Sequence, residues 1–384
     1  MNFDLSDEQR MLQSAAKEML AARFTPTRIR ELGESETGFS EEIWRETAEL
    51  NWPGLIVSEE HAGQALGTVD LVVLMEQLGY ALAPGPFLSN TFAALALEAA
   101  ATDEQRERYL APLALGEKRG TLALWDRGAG RTPDDITLEP ESANGGWKLS
   151  GEKLFVLDAE TADFLIVGAT EGRRFIVDRD ANGLEITQTP TIDSTRKQYA
   201  VKLDGVQVGD DAALEVDADA LGLARERAYT ALAAELVGVA QRAMDMAVDY
   251  AKERKQFGRP IGSYQAVSHA CAQMLLETEG ARSAVYYAAW AADNEPEMAP
   301  LGASVAKAYA SDAAWRVTAS ALQVHGGIGF TWEHDLHLWL KRARCGAAYF
   351  GDSAWHRERV AGLFIDRDVR PRPEEAGAAA LAAS

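Results

Sequence analysis

The sequence predicts a mostly helical α+β protein in which a small antiparallel β domain lies between two helical domains. Residues 1–120 carry apolar side chains at three- and four-residue steps, the period of amphipathic helices. Residues 121–218 contain short runs of β-forming residues separated by Gly, Asp, Asn and Pro. Residues 219–368 return to long helical periods that suit a four-helix bundle. We expect residues 369–384, rich in Ala and Gly, to form a flexible tail.

Capping residues and breakers predict the individual elements. Ser6 and Ser40 each precede acidic residues and an apolar-periodic run, so we expect a helix to begin after each of them. Residues 147–156 indicate two strands joined by a tight turn. Long helices are predicted over 220–254, 264–292, 298–325 and 335–364.

Composition excludes several function classes. The 384 residues carry a formal charge of −21, which disfavours nucleic acid because phosphate backbones are bound mainly by Lys and Arg. The sequence shows no run apolar enough for a membrane span and no secretory signal. Cys271 and Cys345 are isolated and the six histidines lack ligand spacing, so we expect no metal site and a cytoplasmic location.

Two segments near the ends of long helices have residue types that suit a nucleotide. Arg254 and Lys255 end one helix before Phe257 and Gly258, and such cations can bind a diphosphate. The plainer interpretation is that they compensate the helix dipole. The glycines that follow His325 permit close backbone approach to a ligand, or else simply terminate the helix.

In this order and spacing, the two segments resemble the C-terminal domain of acyl-CoA dehydrogenases, and the likeness extends over nearly the whole chain. The residues that match the family's two cofactor stretches are Arg254, Phe257, Gln265, Gln323, Gly326 and Gly327. The resemblance implies that they bind FAD across a subunit interface in a homotetramer or an α2β2 heterotetramer. It also implies an acyl-CoA substrate and an electron-transferring flavoprotein as partner.

In the family, a carboxylate removes the α-proton of the thioester while the β-hydride passes to the flavin, which yields the trans-2-enoyl-CoA. This chain departs from that pattern, because Phe350 stands where most members carry the base and Ala228 stands at the alternate position. In the middle domain, residues 124–130 and Leu157 replace segments whose hydroxyls contact the flavin in relatives.

Glu235 is the remaining candidate for the base. It is one carboxylate in an apolar helical stretch, nearly two turns after Ala228, and such surroundings should raise its pKa. Alternatively, Glu235 is a structural partner of Arg282 or Arg316. Glu226, next to Arg225 and Arg227, is a weaker candidate that we interpret as part of a solvated face.

These features leave three hypotheses open. The chain is an active FAD-dependent acyl-CoA dehydrogenase with Glu235 as base, or a non-catalytic subunit that completes the flavin site of an α2β2 enzyme. The third hypothesis is a relative of the same fold that uses flavin for another oxidation.

Overall fold

The structure, a computed structural model, describes residues 4–128, 132, 135–143, 145–215 and 217–365. Within these ranges helices precede and follow a β region, which confirms the predicted fold class. The predicted tail over 369–384 lies outside the described residues. The domain bounds stay a prediction; the first strand begins at Gly120 and the first helix after the sheets at Ala218. Among the described helices, none has the length and apolarity needed to cross a bilayer.

The N-terminal region consists of helices connected by short loops. Its segments are α1 (Asp7–Arg23), α2 (Pro26–Glu34), α3 (Glu41–Glu49), α4 (Thr68–Tyr80), α5 (Phe87–Ala100), α6 (Asp103–Gln105) and α7 (Ala111–Ala114), with a π-helical turn over Arg106–Leu110. Ser6 caps α1 as predicted, since its Oγ accepts from the amide of Gln9 at 3.2 Å while the Gln9 side chain accepts from the Ser6 amide. Ser40 caps α3 by accepting from the amide of Ile43 at 3.5 Å, without the reciprocal side-chain hydrogen bond.

The middle region forms two sheets. Its strands are β1 (Gly120–Ala123), β2 (Trp125–Asp126), β3 (Glu141–Ala143), β4 (Gly146–Leu157), β5 (Phe164–Gly168), β6 (Arg174–Asp178), β7 (Leu184–Thr189) and β8 (Gln198–Gly209). One sheet has the order β1-β5-β6, and the other has the order β2-β4-β8-β7 with β3 on β4.

Two details of the β prediction are wrong. β1 pairs with β5 in parallel, so the region is not purely antiparallel. Residues 147–156 belong to one long strand, β4, because they pair with β8 through two register shifts. Gly151, at φ 155°, lies at the first shift, so the residues that suggested a turn form a bulge instead.

The C-terminal region contains three long helices and two shorter ones among the described residues. They are α8 (Ala218–Glu253), α9 (Gln265–Asn294), α10 (Ala299–His325), α11 (Leu336–Ala348) and α12 (Ser353–Ile365), with a hairpin of β9 (Lys255–Gln256) and β10 (Arg259–Pro260) between α8 and α9. The predicted fourth helix is thus broken. Phe350 and Gly351 have positive φ, and the Phe350 carbonyl lies 3.0 Å from Nε2 of His356 instead of continuing the helical ladder.

Helices α4 and α8 cross with their backbones in close contact. A Cβ on Gly79 would lie 2.0 Å from the carbonyl oxygen of Glu235, and a Cβ on Gly238 would lie 1.9 Å from that of Glu76. Such distances leave no room for any side chain. The two glycines therefore fix how the N-terminal helices sit on the bundle, next to Glu235.

We expect Gly238→Ala to destabilise the fold by about 1–3 kcal/mol or more, because the added methyl forces two backbones apart. Gly222→Ala is the matched control on α8, since nothing lies within 4 Å of its added Cβ. This control should be neutral or stabilising by up to about 1 kcal/mol through helix propensity. Urea unfolding of both variants tests the contrast, and equal midpoints would contradict the proposed crossing.

Candidate active site

The two positions at which the family carries its base meet at one small cavity. Phe350, in the turn between α11 and α12, and Ala228, on α8, both line a space of about 50 Å³. Its other lining residues are mainly aliphatic, apart from Arg174 and Arg225. Among the described residues no carboxylate lines this cavity, so neither position can remove a proton.

Phe350 belongs to an aromatic cluster that fills the junction between the sheets and the bundle. Its ring centroid lies 4.9 Å from that of Phe92, 5.3 Å from Trp125 and 5.5 Å from Tyr229. Tyr349 stands edge-on to Trp125 at 4.7 Å. These residues are buried, and their packing supplies apolar contact in place of the polar base of relatives.

The sheet residues next to this cluster offer few polar groups to a flavin ring. The indole Nε1 of the buried Trp125 is one donor that has no hydrogen-bond partner among the described residues. Leu157 is buried too, and its carbonyl accepts from the Thr121 hydroxyl at 2.7 Å. The adjoining cavity measures about 140 Å³, whereas ligand pockets usually span about 300–1,000 Å³. Ala129 and Gly130 of the divergent segment lie outside the described residues.

Glu235 is buried, but its surroundings are ionic and not apolar. Its Oε1 accepts from Arg342 at 2.9 Å and from Arg196. Burial alone raises the pKa of Glu235, but the charges of Arg196 and Arg342 and the hydrogen bond from Arg196 outweigh it and hold that pKa below its ordinary value. The expected raised pKa is therefore wrong, and the assignment of Glu235 as base stays a prediction.

The alternatives weighed for Glu235 and Glu226 also need correction. Arg282 binds Glu76 and Glu279, and Arg316 binds Glu277, so neither pairs with Glu235. Glu226 is buried and accepts from Arg225 and from Arg359 at 2.6 Å, so it does not lie on a solvated face. The reason is that α12, which packs on α10, carries Arg359 within reach of Glu226.

A further carboxylate, Asp158, lies in the same buried region at the end of β4. It accepts from the Ser89 hydroxyl of α5 at 2.7 Å. Burial raises the pKa of Asp158 to about 6, although Ser89 and the charges of Arg196 and Arg342 oppose the shift. Sequence reasoning passed over Asp158 because it follows a strand without a nearby cation in the chain.

Arg342 was also missed, although the sequence holds a signal for it. Arg342 lies three residues after Trp339 and four after Leu338, so it falls on the apolar face of α11. A cation on such a face needs a buried partner. Here it donates to Asp193 at 2.6 Å as well as to Glu235.

The six predicted cofactor residues lie near the ends of α8 and α10 and at the start of α9, and these segments meet at one end of the bundle. Tyr250, near the end of α8, stacks on His325 at the end of α10 with ring centroids 4.6 Å apart. This contact brings the segment after α8 beside the segment after α10. Five of the six residues are exposed to solvent. They are Arg254, Gln265, Gln323, Gly327 and Phe257, and the exposed fraction of Phe257 is 94%. Added Cβ atoms on Gly326 and Gly327 would meet nothing within 4 Å, so the backbone is open to a ligand.

Phe257 is held in an unusual conformation on this surface. Phe257 and Gly258 form the two-residue turn of the β9–β10 hairpin, with φ of 51° and 81°. A bulky residue at positive φ is strained, and such residues occur in turns and at functional positions. Arg254 forms no ion pair with any described residue, so its charge is available to a phosphate. This surface fits the diphosphate part of FAD, whereas the aromatic junction does not fit the ring.

The two regions are far apart. Arg254 follows Glu235 by nineteen residues, which corresponds to roughly 28 Å along α8 at 1.5 Å per residue. The surface formed by the six predicted cofactor residues, called here the cofactor surface, is therefore well separated from this chain's own aromatic junction. Such an arrangement suits a cofactor that is shared with another chain.

Comparisons with known proteins identify the family. The family profile "Acyl-CoA dehydrogenase, N-terminal domain" matches residues 6–117, and "Acyl-CoA dehydrogenase, C-terminal domain" matches residues 218–363. Acyl-CoA dehydrogenase IpdE2 of Mycolicibacterium smegmatis is 32% identical, over 90% of this chain and 96% of its own. (R)-Benzylsuccinyl-CoA dehydrogenase of Thauera aromatica is 28% identical, over 94% of this chain and 96% of its own.

Solved structures give the same result. The Tcur3481-Tcur3483 steroid ACAD is 33% identical with a TM-score of 0.85, covering 94% of this chain and 98% of that one. The ChsE4-ChsE5 complex from Mycobacterium tuberculosis is 25% identical with a TM-score of 0.88, covering 96% and 100%. With both family profiles and these relatives spanning most of its length, the chain belongs to the acyl-CoA dehydrogenase family.

Proposed function

We propose that this chain is a subunit of an FAD-dependent acyl-CoA dehydrogenase that binds the diphosphate part of a flavin whose ring lies in a second, different chain. The partner chain supplies the ring site and the carboxylate that removes the α-proton. The observation that carries the proposal is the contrast between the intact surface around Arg254 and the aromatic junction around Phe350.

Three consequences of the proposal concern the assembly. It is an α2β2 heterotetramer that converts an acyl-CoA to the trans-2-enoyl-CoA and passes electrons to an electron-transferring flavoprotein in the cytoplasm. Two similar structures, Tcur3481-Tcur3483 and the ChsE4-ChsE5 complex, are each named for two different proteins, which is the organisation we infer here. FAD, when bound, supplies the hydride acceptor; this chain binds and orients it through Arg254, Phe257, Gln265, Gln323, Gly326 and Gly327.

A second candidate is a self-sufficient dehydrogenase with Glu235 as base. One observation favours it. Oε2 of Glu235 is buried and accepts no hydrogen bond from the described residues, so one lone-pair direction is open to a proton. The ion pairs at Oε1 oppose this candidate, because they make the carboxylate a weaker base.

Flavin stoichiometry distinguishes the two candidates. We expect the chain expressed alone to be colourless, and the complex isolated from its natural host to contain one FAD for each pair of unlike chains. Absorbance spectra, light scattering and peptide mass spectrometry measure this ratio. A yellow protein from the single chain, with one FAD per chain and bleaching by an acyl-CoA without oxygen, would contradict the proposal.

Arg254→Ala should release FAD from the assembled complex. Loss of a charge-assisted hydrogen bond costs about 1.5–3 kcal/mol, so the Kd for FAD should rise roughly ten- to 150-fold. Lys252→Ala is the control, since Lys252 is an exposed cation two residues earlier on α8. The fluorescence of FAD released on dilution gives the Kd of each variant for FAD. If the two variants lose FAD equally, Arg254 does not bind the cofactor.

Glu235→Gln separates a structural from a catalytic role. Because the pKa of Glu235 is lowered in the fold, its ionised form adds stability above about pH 4.3, and this stability is lost as the pH falls through the lowered pKa. At pH 7 the variant leaves Arg196 and Arg342 short of a partner, so we expect a loss of about 3–5 kcal/mol that shrinks in acid.

Glu279→Gln is the control for this test, because it removes a half-exposed partner of Arg282 and should cost less than about 1 kcal/mol. Unfolding in urea at pH 7 and pH 4 gives the free energies. If Glu235→Gln keeps wild-type stability and flavin but abolishes turnover, Glu235 is the base.

A further inference from the structure

A third cavity, remote from the aromatic junction and from the cofactor surface, has the features of a ligand site. It lies between the N-terminal helices α1, α2 and α4 and the bundle helices α8 and α11, and its volume is about 310 Å³. That volume falls within the usual range for small-molecule sites, unlike the two spaces beside Phe350.

The walls of this cavity are apolar and well packed. They include Leu20 and Phe24 of α1 and its C-terminal cap, Ile29 of α2 and Trp339 of α11, all of which are buried. The Trp339 indole is already satisfied, since its Nε1 donates to the Tyr80 carbonyl at 3.1 Å. These walls therefore suit an acyl or aryl body.

Two cations lie at one side of the cavity around the Tyr80 ring. The guanidinium of Arg242 is 5.4 Å from the ring centroid, and Nζ of Lys17 is 6.0 Å from it. The Tyr80 hydroxyl accepts from Arg242 at 3.4 Å and donates to Asp245 at 3.0 Å. Neither Lys17 nor Arg242 forms an ion pair with a carboxylate in the part of the chain that the structure describes. In a chain with 59 acidic residues, two such cations beside one cavity favour an anionic ligand.

Gln77 gives the independent sign of a ligand. Its side chain is only 8% exposed and lines the cavity from α4. Among the described residues its amide forms no hydrogen bond, so its donors and its acceptor are free to bind a ligand in the cavity. A carboxylate bound beside Arg242 and Lys17 would offer an acceptor to the Gln77 amide.

We propose that this cavity binds a small amphipathic carboxylic acid, with its carboxylate near Arg242, Lys17 and Gln77 and its apolar body against Phe24 and Trp339. The site joins the N-terminal helices to the bundle, so ligand binding stabilises their contact. It requires no flavin and does not depend on the proposed function.

Octanoate is the probe, and its neutral amide octanamide is the matched control ligand. Calorimetry on the full-length chain, in the assembly in which it is isolated, should show one saturable octanoate site per chain. Octanamide should bind about tenfold more weakly or worse, because it cannot pair with the two cations.

Variants locate the site. Arg242→Gln should weaken octanoate binding about tenfold or more, whereas Lys252→Gln, an exposed cation on the same helix, should not change it. Ala21→Trp places a large side chain at the cavity from an exposed position of α1, keeps both cations, and should block binding. Absence of saturable binding, or binding that neither Arg242→Gln nor Ala21→Trp weakens, would overturn the proposal.

Discussion

The contact between the sheets and the C-terminal bundle depends on the fully buried guanidinium of Arg342. From α11 it donates to Asp193 at 2.6 Å and to the Thr195 hydroxyl at 2.7 Å in the segment between β7 and β8, and to Glu235 on α8 at 2.9 Å. Removing such a cation from water is costly unless its donors find partners in good geometry. The planar fork of arginine meets that requirement and joins the sheets to the bundle at one point.

The charges around Arg342 explain why this junction is stable and why it is poorly suited to proton transfer. Arg196 and Arg342 face the carboxylates of Asp193, Glu235 and, further away, Asp158, so the cluster holds one excess negative charge when all are ionised. The pKa of Asp158 is raised to about 6, so the folded state takes up a proton there as the pH falls from 7 to 5 and becomes more stable relative to the unfolded chain. Glu235 has the opposite shift and stays ionised between its two cations.

The sequence was most informative where local signals and packing agree. Periodicity and capping residues predicted the caps at Ser6 and Ser40. They also predicted the three long helices α8 to α10 and the order of the helical and β regions. Gly151 was misread because a glycine in a strand suits a turn and a bulge equally well. The environment of Glu235 was misjudged because its partners, Arg196 and Arg342, are 39 and 107 residues away in the chain and no local pattern links them.

The cofactor surface gives a physical argument that the chain acts in an assembly. A bulky residue held at positive φ costs of the order of 1–3 kcal/mol, and Phe257 carries that strain while 94% exposed. Phe330 and Trp332, just after Gly326 and Gly327, are also largely exposed. Trp332 packs against His337 and Lys341, but among the described residues neither Phe257 nor Phe330 contacts another ring or a cation. In the assembly proposed above, another chain and the shared cofactor would cover the surface, whereas the aromatic junction is already buried within this chain. Helix α8 connects these two regions.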